Sequence, residues 1–243
     1  MNEHPSDSRV IVITGGAGGL GIPVTSLFLG RGCSVIVPLH AETDEKKLRS
    51  AIDLTLSNQL DTTVADITDE QSVNKLYKHI EEKYSRLDVL AHLAGGIRPK
   101  SVIAETTTED WDYTMNVNLR SAFLNARSAM KIMMNQRGGS IVTVSAMTAL
   151  KPESGKAAYG AAKAGIIALT RTLADEGRAF NINANAIAPS IIRTAANLKW
   201  ANGKEAEDWV VPEDIAEMMY FLTSPAGHSI NGTVIREFGK LAL

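Results

Sequence analysis

Val10-Ile11-Val12-Ile13 runs straight into Thr14-Gly15-Gly16-Ala17-Gly18-Gly19-Leu20-Gly21, and an amphipathic segment, 22–31, follows. The apolar β-branched run reads as a buried strand, the glycines as a tight turn and the segment after them as a helix. That order brings backbone N–H groups and the positive end of a helix to one point. Missing side chains let the backbone approach a pyrophosphate, so the stretch predicts a dinucleotide site on Gly15, Gly16, Ala17, Gly19, Leu20 and Gly21. A plain structural turn uses glycines in the same way. The dinucleotide reading gains weight from Tyr159-Gly160-Ala161-Ala162-Lys163, which sets a phenol and an ammonium one helical turn apart.

The pattern repeats outward. Short β-branched runs stand at 10–13, 34–37, 62–65, 89–93, 140–145, 183–188 and 232–237. Helical patterns fill the intervals at 22–31, 45–58, 69–85, 109–136, 157–179 and 212–223. Several strands are apolar throughout, as expected where both faces of a sheet are covered. Alternating strands and helices predict right-handed βαβ units and an α/β, doubly wound parallel sheet, a Rossmann fold. The expectation is one domain over 1–243, with no internal repeat or linker. The polar segment 194–211, with Trp200, Trp209 and Asn202-Gly203, reads as a loop or small helix covering a site.

Composition narrows the function classes. The 243 residues are 44% hydrophobic and 21% charged, enough for a sizeable core. A net charge of −2 without like-charge blocks gives no footprint for nucleic acid or an anionic membrane. No apolar run approaches a bilayer span, and the polar start 1–9 has no leader-like apolar stretch, so a cytoplasmic protein is expected. The single cysteine, Cys33, heads an apolar strand and reads as a buried, inert thiol. No His, Cys and carboxylate spacing suggests a metal site.

Taken together, these motifs resemble the short-chain dehydrogenase/reductase family over nearly the whole chain. Thr14-Gly15-x-x-x-Gly19-x-Gly21 is similar to its cofactor turn, and Asp66-Ile67 to the pair that holds the adenine ring. Ala94-Gly95, with Gly96 after it, resembles the end of the family's Asn-Asn-Ala-Gly motif, although His92-Leu93 stand where the asparagines usually are. Asn118 in Asn116-Val117-Asn118-Leu119 matches the asparagine of the family's proton relay, and Tyr159 and Lys163 its catalytic pair. Pro189-Ser190-Ile191-Ile192-Arg193-Thr194 resembles the segment that binds the nicotinamide carboxamide, placing Pro189, Ile191, Ile192 and Thr194 on the cofactor. The resemblance implies an NAD(P)H-dependent oxidoreductase acting on a small-molecule substrate. It also implies a homo-oligomer, tetramer or dimer, joined through the helices 109–136 and 157–179.

The chemistry can be followed in the residues. Hydride transfer to a carbonyl carbon requires a proton at the oxygen. Free phenols titrate near ~10, so an unassisted tyrosine is a poor acid at neutral pH. Lys163, one turn away, is expected to favour the phenolate of Tyr159 and move it towards its working range. Ordinary helix-surface roles for both residues are the bland alternative.

One position departs from the family. Its catalytic serine usually lies thirteen residues before the tyrosine, and residue 146 is alanine. Ser145 points to the opposite strand face, which leaves Thr148 or water as the hydroxyl source. Dihydropteridine reductases, which reduce a quinonoid C=N system, have alanine there, and Thr194-Ala195-Ala196-Asn197 and Trp209-Val210-Val211-Pro212-Glu213-Asp214 resemble them too. Two readings remain: reduction of a small carbonyl or conjugated imine, or cofactor binding with weak or no turnover in a binding or assembly subunit.

The choice of cofactor turns on the end of the second strand. An acid there hydrogen-bonds the NAD ribose and repels a 2′-phosphate, whereas this chain has Leu39 and then His40. That favours NADP over NAD, with His40 near the phosphate. His92 is expected to hydrogen-bond backbone between strands, and Met130, Met133 and Met134 to pack in the core or a subunit interface.

Overall fold

A computed structural model describes residues 9–201 and 203–241. The polar start up to Ser8, Asn202 of the Asn-Gly pair, and 242–243 lie outside the described residues. The strands form as β1 (Val10–Thr14), β2 (Ser34–Leu39), β3 (Leu60–Val64), β4 (Val89–His92), β5 (Gly139–Val144), β6 (Ile182–Pro189) and β7 (Val234–Glu237). They make a seven-stranded sheet in the order β3-β2-β1-β4-β5-β6-β7. All neighbouring pairs run parallel. The order reverses at β1, which pairs with both β2 and β4. That reversal opens a crevice at the carboxyl ends of the strands.

The helices are α1 (Gly21–Gly30), α2 (Glu42–Ala51), α3 (Glu70–Tyr84), α4 (Thr108–Met115), α5 (Ser121–Gln136), α6 (Ala157–Gly177), α7 (Ala195–Leu198) and α8 (Pro212–Thr223). Alternation along the strands divides the core into two layers. Ile11, Ile13, Val35 and Val37 pack with Val24 and Phe28 of α1, Leu48 of α2, and Ile215 and Met219 of α8. Val10, Val12, Ile36 and Leu90 pack on the other face with Val73 and Ile80 of α3, Leu124, Met130 and Met133 of α5, and Leu173 of α6. Each large apolar side chain contributes roughly 1.5–3 kcal/mol on burial, so a one-residue register slip in β1 would expose several at once. Cys33 is buried, as expected. Among the described residues no helix is long and apolar enough to cross a membrane.

Two helices differ from the sequence expectation. The helix expected over 45–58 begins earlier, at Glu42, where the Asp44 carboxylate accepts the Ala41 N–H at 3.3 Å and acidic residues favour the positive helix end. It stops at Ala51 because Ile52 is extended, and Asp53 caps a separate 3-10 turn, Leu54–Gln59. The long helix expected over 109–136 is interrupted by a π-helical turn, Asn116–Arg120, between α4 and α5. Such turns reset the helical phase, and this one carries Asn118.

Candidate active site

The crevice at the β1/β4 reversal is a cleft of about 700 Å³. Gly15, Ala17, Gly19, Leu20 and Gly21 form one wall, and Ala94 and Gly95 stand opposite. Leu39, His40, Asp66 and Ile67 close the far end. The fit is tight in the glycine turn. Gly15 has φ +72°, and a Cβ there would stand 3.0 Å from the Ala94 backbone. A Cβ on Gly21 would fall 2.0 Å from the Gly15 carbonyl oxygen, so the close return of α1 onto the turn requires glycine. Gly16 is different: it is buried, and its added Cβ would strike Val37 at 2.8 Å, so it serves packing of the turn on β2 and does not line the cleft. A cradle of backbone N–H groups at a helix start, too close for side chains, fits a dinucleotide pyrophosphate.

The far end holds residues that the sequence reading missed. Asp44 and Lys47 of α2 also line the cleft. The early start of α2 takes Asp44 into the helix, and the i, i+3 spacing puts it on one face with Lys47. Asp66 accepts hydrogen bonds from the Thr68 hydroxyl and N–H at 2.7 and 2.8 Å, which, with the charge of His40, hold its carboxyl below the usual range. The π-helical turn and α5 secure this segment from behind: Arg120 of the turn donates to the Thr68 carbonyl at 3.0 Å and Asn125 of α5 to that of Ile67 at 3.3 Å.

Beside Gly95, against one wall of the cleft, stands a set of buried polar groups. Lys163, on α6, is 3% exposed, and its ammonium donates to the Val144 carbonyl at 2.8 Å. Burial pulls its pKa down to about 8. The ammonium lies 5.6 Å from the Tyr159 ring centre. Burial also pushes the Tyr159 phenol up to about 12. The lowering expected from Lys163 is therefore outweighed here: desolvation favours the neutral form of both groups. Tyr159 lines a small pocket of about 30 Å³ together with Arg98, Asp110, Thr114 and Lys156. Arg98 pairs with Asp110 at 3.4 Å and lies 3.9 Å over the Tyr113 ring, so its charge is already partnered.

Asn118 is fully buried, and its amide is committed to the protein. Its Oδ1 accepts the Gly96 N–H at 3.3 Å, while Nδ2 donates to the carbonyls of Gly96 at 2.7 Å and Thr114 at 2.8 Å. A Cβ on Gly95 would lie 2.6 Å from Asn118 Oδ1 and 3.1 Å from Lys163 Nζ. That turn therefore rests directly on both residues. Ser145 donates to the Lys163 carbonyl at 2.8 Å, turned towards α6, and Ala146 occupies the next position, 8% exposed. The Thr148 hydroxyl is buried without a partner. Pro189 ends β6, and Thr194 packs against the glycine turn, since a Cβ on Gly19 would meet it at 2.8 Å. Ile191 and Ile192 are tied to Val210, while Trp200 packs at a tilt of 41° against the buried Trp209, ring centres 4.9 Å apart. Pro189, Ile191, Ile192 and Thr194 are not among the residues lining the main cleft, and neither are Gly96, Asn118, Tyr159 and Lys163, of which Asn118 and Lys163 lie against its Gly95.

His92 corrects an expectation. It bonds side chains rather than backbone: Nδ1 meets Thr14 Oγ1 at 2.9 Å and Nε2 meets Ser121 Oγ at 3.3 Å. Among the described residues, no group of three or more His, Cys, Asp or Glu is placed to hold a metal ion.

Comparison with known proteins decides the family. The pattern described as short chain dehydrogenase matches residues 9–205. The chain belongs to the short-chain dehydrogenase family. It is an NAD(P)-dependent oxidoreductase. It is 32% identical over 248 residues to the 3-oxoacyl-(acyl-carrier-protein) reductase FabG of Thermotoga maritima, covering 98% of this chain and 99% of that protein. It is 30% identical over 249 residues to the 7alpha-hydroxysteroid dehydrogenase of Bacteroides fragilis, covering 98% and 95%. Among solved structures, ElxO with NADP bound superposes with a TM-score of 0.90 at 29% identity, covering 96% of this chain and 98% of that one.

Proposed function

We propose that this short-chain dehydrogenase is an NADPH-preferring reductase of a small carbonyl or conjugated imine, with Tyr159 as its proton donor. The observation that carries the reading is the pairing of Tyr159 with the buried Lys163 one helical turn on, whose ammonium lies 5.6 Å from the phenol ring. The nicotinamide, when bound, supplies the hydride. Tyr159 passes its phenolic proton to the substrate oxygen or nitrogen, and the Lys163 charge stabilises the phenolate left behind. Lys163 also serves the cofactor ribose. Asn118 anchors the proton path by holding the Gly95–Gly96 turn against Lys163, and a second lone pair on Oδ1 remains for a water.

Ala146 in place of a hydroxyl directs the site to a substrate needing less help at its oxygen, and a quinonoid pterin is the leading imine candidate. A missing preorganised donor to a developing oxyanion costs about 10²–10³ in rate. NADPH preference rests on Leu39 in place of an acid and on His40 and Lys47 at that end of the cleft. The Asp44 carboxylate there is already engaged with the Ala41 N–H. Segments 189–194 and 194–211 hold the carboxamide and cover the substrate within a single domain. The family and the composition support a cytoplasmic homo-oligomer, a tetramer or dimer packed through α4–α6. Sedimentation velocity at micromolar concentration tests that assembly, and a monomer refutes it.

The activity is tested by screening carbonyls, quinones and a quinonoid pterin with wild type, Tyr159→Phe and Ala146→Ser, alongside NADPH and NADH titrations. Wild-type turnover that Tyr159→Phe abolishes at unchanged cofactor affinity supports the reading. An inert wild type whose Ala146→Ser variant gains ketone reduction supports cofactor binding without turnover. Full activity in Tyr159→Phe refutes the proton donor, and a clear preference for NADH refutes the cofactor choice.

A further inference from the structure

The polar side chains that surround His92 are all enclosed: Thr14 is 0% exposed, His92 1% and Ser121 0%. Hydrogens can be assigned along the row by counting them. The Ser121 hydroxyl has one hydrogen, and the Val117 carbonyl at 2.7 Å is its nearest acceptor, one helical turn back. Its oxygen then accepts from His92 Nε2–H at 3.3 Å. The other ring nitrogen, Nδ1, is left as an acceptor for the Thr14 hydroxyl at 2.9 Å. The Thr14 oxygen in turn accepts the Ala94 N–H at 3.3 Å. Every hydrogen is used once and runs in the same sense, from the Ala94 backbone to the Val117 carbonyl.

The two ends of this row belong to the two walls of the cleft. Thr14 is the last residue of β1 and immediately precedes Gly15, where the glycine turn begins. Ser121 is the first residue of α5, directly after the π-helical turn whose Asn118 grips Gly96. Ala94, which opens the row, stands against Gly15 and precedes the Gly95 that rests on Lys163 and Asn118.

We propose that His92 is a positioning residue for the cofactor: as an Nε2-protonated imidazole it ties the root of the glycine turn to the root of α5. The proposal deepens the functional reading above and rests on it for the cofactor. An imidazole suits the task because its two nitrogens face opposite ways on a rigid ring, one donating and one accepting. Burial and the Lys163 charge keep it neutral, holding its pKa down to about 3, so the donor and acceptor roles do not change with pH in the working range. Fixing the walls in advance lowers the ordering cost of binding, so loss of the link appears in cofactor affinity.

The test uses the whole protein and NADPH as probe, titrated without substrate by fluorescence transfer. His92→Phe keeps ring volume and removes both hydrogen bonds, and it is expected to weaken NADPH about tenfold or more. His92→Gln, whose amide offers one donor and one acceptor, is expected to recover most of that loss. Ser121→Ala weakens NADPH in the wild-type background but adds nothing in His92→Phe, because it acts through the ring, whereas Thr14→Val also removes the acceptor of the Ala94 N–H. Thr223→Val, which removes the buried hydrogen bond from its hydroxyl to the Met219 carbonyl on α8, is the stability control and leaves NADPH affinity unchanged. Nitrogen NMR of histidine-labelled wild type should show His92 protonated at Nε2 and bare at Nδ1, a readout that survives if His92→Phe does not fold.

The proposal is overturned by NADPH affinity within twofold of wild type in His92→Phe. A multiplying effect of Ser121→Ala whatever stands at 92, or an Nδ1-protonated ring, overturns it equally. A wild type that binds NADPH but turns over no substrate refutes the reductase reading alone, since these affinities are read without substrate. A wild type that binds neither NADPH nor NADH overturns both.

Discussion

The cleft's glycine turn and the polar cluster beside the cleft are built on opposite principles. The glycine turn holds its shape by excluding atoms: a Cβ on Gly21 would come to 2.0 Å from the Gly15 carbonyl oxygen, and one on Gly15 to 3.0 Å from Ala94. The cluster holds its shape by enclosing polar atoms, namely the ammonium of Lys163, the amide of Asn118 and the imidazole of His92. Close packing of backbone serves stability and binding together. Enclosing an ammonium works against stability, because desolvation disfavours the charged form. The cluster is therefore where function and stability should separate, and substitutions can break or sharpen that contrast.

The largest effect is expected at Lys163. Replacing it with Met should lower turnover by about 10²–10³, as expected when a proton donor loses its electrostatic partner. The same variant should be more stable at pH 7. The folded-state pKa falls from 10.5 to about 8, a burial cost of about 3 kcal/mol in the wild type, and loss of the bond to Val144 offsets part of it. The sign follows from proton uptake: between about pH 8 and 10.5 the unfolded chain binds more protons than the folded one. Wild-type stability should thus rise with pH through that window, and the advantage of Lys163→Met should shrink. Urea melts of both proteins at pH 7 and pH 10 check this, and a destabilised variant at pH 7 would erase the contrast.

Gly21→Ala should do the reverse, harming binding and stability together. The turn must move to admit the methyl, and about 100-fold weaker NADPH binding with a lower melting temperature is expected. Titration and thermal unfolding of one preparation give both numbers.

A smaller effect is expected at the far end of the same wall. Lys47→Glu should weaken NADPH about tenfold and leave NADH within twofold, because the lost charge-assisted contact involves only the 2′-phosphate. Parallel titrations decide it, and equal losses for both cofactors would remove Lys47 from the phosphate site.

The smallest effect is at Thr148. Its hydroxyl is buried without a partner, so Thr148→Val should stabilise the protein by about 1 kcal/mol and leave turnover unchanged. Turnover reduced tenfold would instead make Thr148 the donor that Ala146 lacks.

The legibility of the molecule follows the same division. The strands and the glycine turn were readable because apolar period and missing side chains are local properties of the chain. β1 illustrates this: Val10 to Ile13 alternate between two buried faces, and each residue reports its own burial. Lys47 was not readable as a cleft residue, since it reaches the cleft through the tertiary placement of α2, which no local pattern of the sequence reports. Nor was the π-helical turn at Asn118, whose sequence carries an ordinary helical pattern. His92 was visible as an odd residue in a familiar motif, but its partners lie 78 residues before it and 29 after it.

By itself, the sequence determined the strands and their parallel run, the glycine turn and the one-turn spacing of Tyr159 and Lys163. Each depends on periodicity or on spacing within a single turn or helix. Tertiary structure alone decided that Asn118 spends its amide on Gly96 and Thr114, that Ser145 turns to Lys163, and that His92 joins two walls. It also decided that burial outweighs the Lys163 charge at the Tyr159 phenol. The physical reason is common to all four. Hydrogen-bond partners and desolvation are set by which elements meet in space, and the reversal of strand order at β1 brings together elements remote from one another in the chain.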